Sequence, residues 1–414
     1  MKKAIIKILI LMGICGILNG CGSPKDDVVE ITMIHGWGST EYDHVVMRQI
    51  YEEFEKVHPE IHLNMVAMPS STDVISKVGD LLTVGEIPDI VFTGGDGRES
   101  IYSFMVEEGY AVDLMPYIQE DQELEANVSP VIMENWTTEN GNLYTVSDVL
   151  LMGGYWYNEE IFEKAGIDNV PETWEEWMEA CRKIKKSDGK TVPIILDSNH
   201  ISYLMTTILA DEELTQLKEA KNSKIQINSA SFDKMLSRLR EISKYATLAG
   251  DYNYRDTLAS FNAGESAIYI NGVWANFMID NNLQVAYAPF PSDDGNGIAT
   301  KSACVGYILG NTGDEKRIDA SVKFLKYMLS EDVAVKIMEK TGQMPSNPNV
   351  EITEESVGSR LYQAVTCVEN AGLIIETPEN LWDLSEKKEY GENVILYLQN
   401  RIGEEEFRER LSRL

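Results

Sequence analysis

Val29, Ile31 and Met33 alternate with polar residues, the period of a strand with one buried face, and Ile61, Leu63 and Met65 repeat that alternation. Between them Val46, Ile50, Phe54 and Val57 recur at helical spacing and stop before Pro59. Strand, helix, strand is a parallel unit, so an α/β fold is expected from the first forty residues of the pattern. Ile75, Val78, Leu81 and Leu82 give the next helix, Gly85 ends it, and Pro88 to Phe92 reads as a short buried strand. Ligands of open parallel sheets gather beyond the carboxyl ends of the strands, which points at two loops, His35 to Glu41 and Thr93 to Arg98.

Further along, Thr173 and Glu176 have the spacing of a capping box. Trp174, Trp177, Met178, Cys181 and Ile184 then give that helix a buried face, and Gly166 is placed to end the helix before it in a left-handed cap. Trp156, Tyr157, Trp174 and Trp177 are read as core on apolar helix faces. Val192 to Leu196 is a strand candidate, and Leu236, Leu239, Ile242 and Tyr245 mark a helix. Val285 to Pro291 reads as a strand, followed by the acidic turn Ser292 to Gly297, which lacks the ligand spacing of a calcium loop. Gly306 to Gly310 is another apolar strand, Ile318, Val322, Leu325 and Met328 a helix, and residues 350–414 are mostly helical.

The N-terminus is a different kind of segment. Lys2, Lys3 and Lys7 precede a mostly apolar run from Ile8 to Leu18, and Leu18-Asn19-Gly20-Cys21 sets a small residue before a cysteine. This is similar to a bacterial lipoprotein signal, residues 1–20, with Cys21 as the lipidated (palmitate-bearing) first residue and residues 21–27 as a tether. The apolar run is shorter than the ~20 residues of a spanning helix. At 414 residues, with 43% apolar, the chain has material for two cores, and its formal charge of −31 argues against nucleic acid and against anionic lipid surfaces. Beyond Cys15 and Cys21 only Cys181, Cys304 and Cys367 remain, an odd and scattered set that indicates neither a disulfide framework nor a metal site.

One ordered series of motifs narrows the class. Gly141-Asn142-Leu143-Tyr144, Tyr157-Asn158, Phe162-Glu163-Lys164-Ala165-Gly166-Ile167 and Pro171-Glu172-Thr173-Trp174-Glu175-Glu176 follow one another in the order and rough spacing of family 1 extracellular solute-binding proteins, the carbohydrate-binding subunits of ABC importers, and the chain resembles that family. Leu81 to Val91, Val112 to Ile118, Phe261-Asn262-x-Gly264 to Ile268, Asn271-Gly272-Val273-Trp274 and Gly342-x-Met344-Pro345 extend the resemblance over nearly the whole chain after the leader. It implies a two-lobed, periplasmic-binding-protein-like α/β fold, with mixed sheets flanked by helices and a ligand cleft between the lobes. The expected lobes are 28–146 with 290–345, and 147–289 with 346–414. The implied function is extracytoplasmic capture of a carbohydrate, an oligosaccharide by preference, and its delivery to a membrane permease by a lipid-anchored monomer, without cofactor, metal or catalysis.

Sugars present apolar C–H faces and paired hydroxyls, so a site for them needs aromatic plates and planar polar groups. Trp37, Tyr155, Trp274 and Trp382 are the aromatic candidates, and Glu41, Asp96 and Asp148 the polar ones. Trp37 and Asp96 stand in the two strand-end loops, and Trp274 matches a tryptophan that the family commonly stacks on sugar. Val146-Ser147-Asp148 departs from the family pattern, which often has a proline and an aromatic there. There is no Gly-x-Ser-x-Gly elbow, no His-Glu-x-x-His and no phosphate loop, although 67 acidic residues leave room for a glycosidase pair. A lipid-anchored carbohydrate-active enzyme, or a surface adhesin or sensor partner on the same fold, is the alternative.

Overall fold

The structure, a computed structural model, describes residues 28–93, 100–196, 200–214, 227–247, 254–381 and 384–413. The leader, the tether, Cys21, Asp96 and Trp382 lie outside the described residues. The opening unit forms as its pattern dictates. β1 (Val29–His35), helix α1 (Tyr42–Val57), β2 (Ile61–Ala67), helix α2 (Ser71–Thr83) and β3 (Ile90–Phe92) follow in turn. α1 buries Val46, Met47, Ile50, Tyr51 and Phe54 on one face, and α2 is capped by Ser70, whose side chain accepts from Asp73 N. β1 pairs in parallel with both β2 and β3.

The second sheet is organised by one strand, β4 (Val149–Asn158). It is apolar along its length and almost wholly buried, as a strand covered on both faces must be. Successive side chains point to opposite faces: Tyr155 joins a core with Trp177 and Phe290, and Trp156 joins a second core with Tyr287 and Tyr269. The strand ends where Asn158 caps the helix Glu159–Lys164 by accepting from Ile161 N. Trp156 and Tyr157 are therefore core residues of a strand and not, as their spacing indicated, of a helix. Around β4 stand β5 (Val192–Ile195), β6 (Ala246–Thr247), β7 (Ser266–Gly272), β8 (Val285–Ala288) and β9 (Ile298–Ala303). The main path runs β9, β4, β7, β5, β6, with β8 also on β4.

The chain returns to the first sheet as β10 (Tyr307–Leu309), antiparallel to β3, so that the sheet reads β10, β3, β1, β2. The helices Glu315–Met328 and Glu331–Thr341 complete that lobe, and β11 (Met344–Pro345) crosses to β4 again. β12 (Leu373–Ile375) then pairs with β9. The expected return at residue 290 is corrected here. β8 and β9 both pair with β4, and Phe290 bridges Ile298 across the turn, so residues 290–303 stay with the second sheet.

Among the described residues three passes thus join the lobes: residues 146–149, 303–307 and 341–347. Val146 and Tyr307 exchange backbone hydrogen bonds of 3.3 and 2.9 Å, and Gly306 N donates to Thr145 Oγ1 at 3.0 Å. Ser346 N donates to Asp148 O at 2.9 Å and Ser346 Oγ to Ser147 O at 2.6 Å. Gly306 is required by proximity: a Cβ there would stand 2.1 Å from Val146 O. Gly306→Ala is expected to separate the first two passes and to lower unfolding stability by about 2 kcal/mol or more, read as a lower denaturant midpoint at unchanged slope.

Candidate ligand cleft

Between the two sheets lies a cavity of about 700 Å³, within the range of small-molecule sites. Its first-lobe wall comes from the loop after β1 and the start of α1. Trp37, at 8% exposure, presents only part of its surface to the cavity. The ring stacks on Phe92 with centroids 5.5 Å apart, His44 meets it edge-on at 4.9 Å, and its indole Nε1–H donates to the Tyr51 hydroxyl at 3.1 Å. The loop itself is clamped from α1, since the Arg48 guanidinium donates to Trp37 O and Ser39 O. Beneath it His35 accepts from Trp37 N through Nδ1 at 3.2 Å, and burial holds the imidazole down at about 4, so it is neutral at pH 7.

The second-lobe wall is built on the end of β7. Gly272 opens the short 3₁₀ helix Val273–Phe277, and the Trp274 ring folds back over it, where a Cβ on residue 272 would be 1.9 Å from the ring. Trp274 is half-buried against the core that holds Tyr155 and Trp177 while lining the cavity. Val149 to Leu151 of β4 form the floor, and Leu258 and Val273 add apolar surface. At the mouth, Tyr42, Phe277 and Met278 are large apolar groups left exposed. Charge enters there too: the Arg255 guanidinium donates to Glu41 Oε1 at 2.7 Å, an ion pair spanning the cleft from one lobe to the other.

The cleft therefore brings together Trp37, Glu41 and Trp274, but neither Tyr155 nor Asp148. Tyr155 is 0% exposed in mid-sheet, paired with Ile270 and Ala288 and facing Trp177, with its hydroxyl unbonded. Asp148, one residue before the floor, is 2% exposed, and its carboxylate turns away to accept from the Tyr307 hydroxyl at 2.8 Å. Burial raises the Asp148 carboxyl to about 6, the Tyr307 bond opposing the shift. Tyr42, Phe277, Met278 and Leu258 were not singled out from sequence; a lone apolar residue on a short helix gives no sign of whether it faces core or cleft. Among the described residues two clusters offer metal-type donors, Glu41 with Asp43 and His44, and Asp211 with Glu212 and Asp293. The first is engaged by Arg255, and the second is filled by Arg238 and Lys234, which bond all three carboxylates.

Two α/β lobes, each assembled from separated segments and facing each other over a walled cavity, define a two-lobed binding protein of the periplasmic-binding-protein-like fold. Residues 38–335 match the model of the bacterial extracellular solute-binding protein family, and the chain belongs to that family. The multiple sugar-binding protein of Streptococcus mutans is 22% identical over 300 residues, covering 68% of this chain and 67% of that one. A Streptococcus pneumoniae solute-binding protein solved in complex with the blood group A-trisaccharide is 26% identical, with a TM-score of 0.78 over 93% of this chain and 98% of that one. The sugar-binding protein MalE of Xanthomonas citri shares the fold at 17% identity, with a TM-score of 0.76 over 93% and 96% of the chains. The family is extracytoplasmic and consists of binding proteins rather than enzymes; no helix among the described residues is long and apolar enough to cross a membrane.

Asp148 gives a pH signature. Its carboxyl is raised on folding from 3.8 to about 6, so the folded state holds the extra proton and this group's contribution to stability falls as pH rises through that window. Over the full window the loss is about 3 kcal/mol. Asp148→Asn is expected to remove that slope: urea melts at pH 4.5 and 7.5 should show the variant gaining on the parent at the higher pH. An equal difference at both pH values would mean that the carboxyl titrates in its ordinary range.

Proposed function

We propose that this chain captures an oligosaccharide in the cleft and delivers it to an ABC permease, as a monomer held to the extracytoplasmic face of the membrane by lipid on Cys21. The observation that carries the reading is the pair of tryptophans, Trp37 and Trp274, set in opposite lobes on the walls of one cavity. Flat aromatic surface on both sides suits the C–H faces of sugar rings, while Glu41 and Arg255 at the mouth suit hydroxyls. The trisaccharide complex of the Streptococcus pneumoniae relative, and the multiple sugar-binding protein of Streptococcus mutans, support the same class of ligand. A cavity of about 700 Å³ has room for more than a single sugar ring.

Transport needs the lobes to close, and a ligand drives closure only by binding the closed form more tightly than the open one. Contacts from both walls provide that difference, because a ligand held by Trp37 alone gains Trp274 only on closure. Delivery then depends on the permease distinguishing closed from open forms.

The test is a thermal-shift screen of the chain from Gly22 onward against mono- and oligosaccharides, with amino acids and polyamines as controls. A saturable rise is expected for one oligosaccharide class, corresponding to about 2.7 kcal/mol at a ligand concentration 100 times Kd. The sugar should be recovered intact; cleavage would move the protein to the enzyme class, and a response confined to amino acids or polyamines would remove the carbohydrate assignment. Trp274→Ala should weaken binding about tenfold or more in calorimetry run where the variant is still folded, the usual effect of truncating a central aromatic anchor.

A further inference from the structure

Behind the Trp37 wall a row of four side chains runs into the lobe junction. The Trp37 indole donates to the Tyr51 hydroxyl at 3.1 Å, the Tyr51 and Tyr307 hydroxyls lie 3.1 Å apart, and Tyr307 donates to Asp148 Oδ2 at 2.8 Å. The direction is set by the two ends. An indole nitrogen only donates and a carboxylate only accepts, so each hydroxyl in between hands its proton toward Asp148. Tyr51, Tyr307 and Asp148 are all buried, which leaves no water to replace a missing partner. The far end is fixed in the junction itself: Asp148 O accepts from Ser346 N of the third pass, and Tyr307 is bridged to Val146 of the first.

We infer that Asp148 is a positioning residue which, acting through Tyr307 and Tyr51, fixes the Trp37 ring in the cleft wall and so ties the ligand surface to the lobe junction. The inference rests on the reading of this cleft as the ligand site, but its geometry is present without ligand. A protonated Asp148 can donate to Tyr307 and reverse the row; Tyr51 then accepts from both neighbours, and its own hydrogen points at no acceptor. The hold on the indole therefore weakens when Asp148 takes up a proton, which its burial places at about pH 6.

The surroundings isolate this titration. The hydroxyls of Tyr51 and Tyr307 are held well above the ordinary range by burial, reinforced by the Asp148 charge, so both stay neutral. His35, edge-on to Tyr51 at 5.4 Å, is held at about 4 by burial. Cys304 Sγ lies 3.4 Å from Ser147 Oγ on the neighbouring pass. On the Trp37 side stand Arg48, bonded to its carbonyl, and His44, packed on its ring with Glu41 and Asp43 beside it, so His44 is the contact to be controlled.

The experiment follows the indole N–H resonance of Trp37 in the ligand-free full chain, labelled with ¹⁵N-tryptophan, held in mild detergent and assigned with Trp37→Phe. Tyr51→Phe removes the acceptor and sets the upfield limit. Asp148→Asn should move the resonance in the same direction, Tyr307→Phe should do so as well, and adding Asp148→Asn to Tyr307→Phe should move it no further. The parent resonance should titrate with a midpoint near pH 6, in His44→Gln as in the parent, and should be flat in Asp148→Asn. Superposition of the Asp148→Asn and parent resonances overturns the inference, as does an undiminished Asp148→Asn effect in the Tyr307→Phe background. If Asp148→Asn does not fold, the parent at pH 5 and 7.5 against Tyr307→Phe carries the same decision. No sugar enters this readout, so a failed carbohydrate screen and a failed relay are separate results.

Discussion

The structure depends on three strands of chain lying side by side at one junction. Val146 and Tyr307 pair as antiparallel backbone, Gly306 lets them approach, and Ser346 stitches the third pass to the carbonyls of Ser147 and Asp148. Because each lobe is assembled from separated segments, neither can complete its sheet unless these passes cross in register. The same junction constrains movement. Two lobes joined by three short passes can change their angle only through the backbone torsions of those passes, which turns closure into a hinge motion rather than a slide.

A buried carboxylate at such a place is costly, and a chain selected only for stability would replace Asp148 with an apolar or amide group. Its carboxylate is nevertheless the single acceptor toward which the hydroxyls of Tyr307 and Tyr51 and the indole of Trp37 are all oriented. In the proposed relay the cost is borne where the lobes meet and the effect is felt at the Trp37 wall of the cleft. Elsewhere the cleft is built from apolar surface, with Tyr42, Phe277 and Met278 left exposed at its mouth. Exposed apolar groups clustered around a concavity are what a bound ligand covers. The formal charge of −31 favours solubility and does not define a partner.

Local rules carried the sequence a long way. The alternation in β1 and β2, the helical spacing in α1 and α2, the Thr173–Glu176 capping box and the left-handed cap at Gly166 are all interactions between neighbours within a few residues, and all are present. The order of short motifs around residues 141–176 was enough to indicate the family to which the chain belongs. Two readings failed for one reason: Trp156 and Tyr157 fitted a helix face by spacing, and the return to the first lobe was expected at residue 290, because an apolar run does not say which sheet will take it. Only pairing with β4 decided both.

The site divides along the same line. Strand-end position pointed to the loop of Trp37 and Glu41, since loops at the ends of parallel strands are written in the local sequence, and the resemblance to the family's Gly-x-Trp turn pointed to Trp274. Whether Asp148 faces ligand or interior was not, for it depends on a tyrosine 159 positions away in another pass. The sequence by itself determined the elements whose periodicity is local, the class of protein and the kinds of side chain a sugar needs. Only the tertiary structure decided which of them share the cleft, because that is fixed by the crossing of distant segments and by the burial that crossing creates.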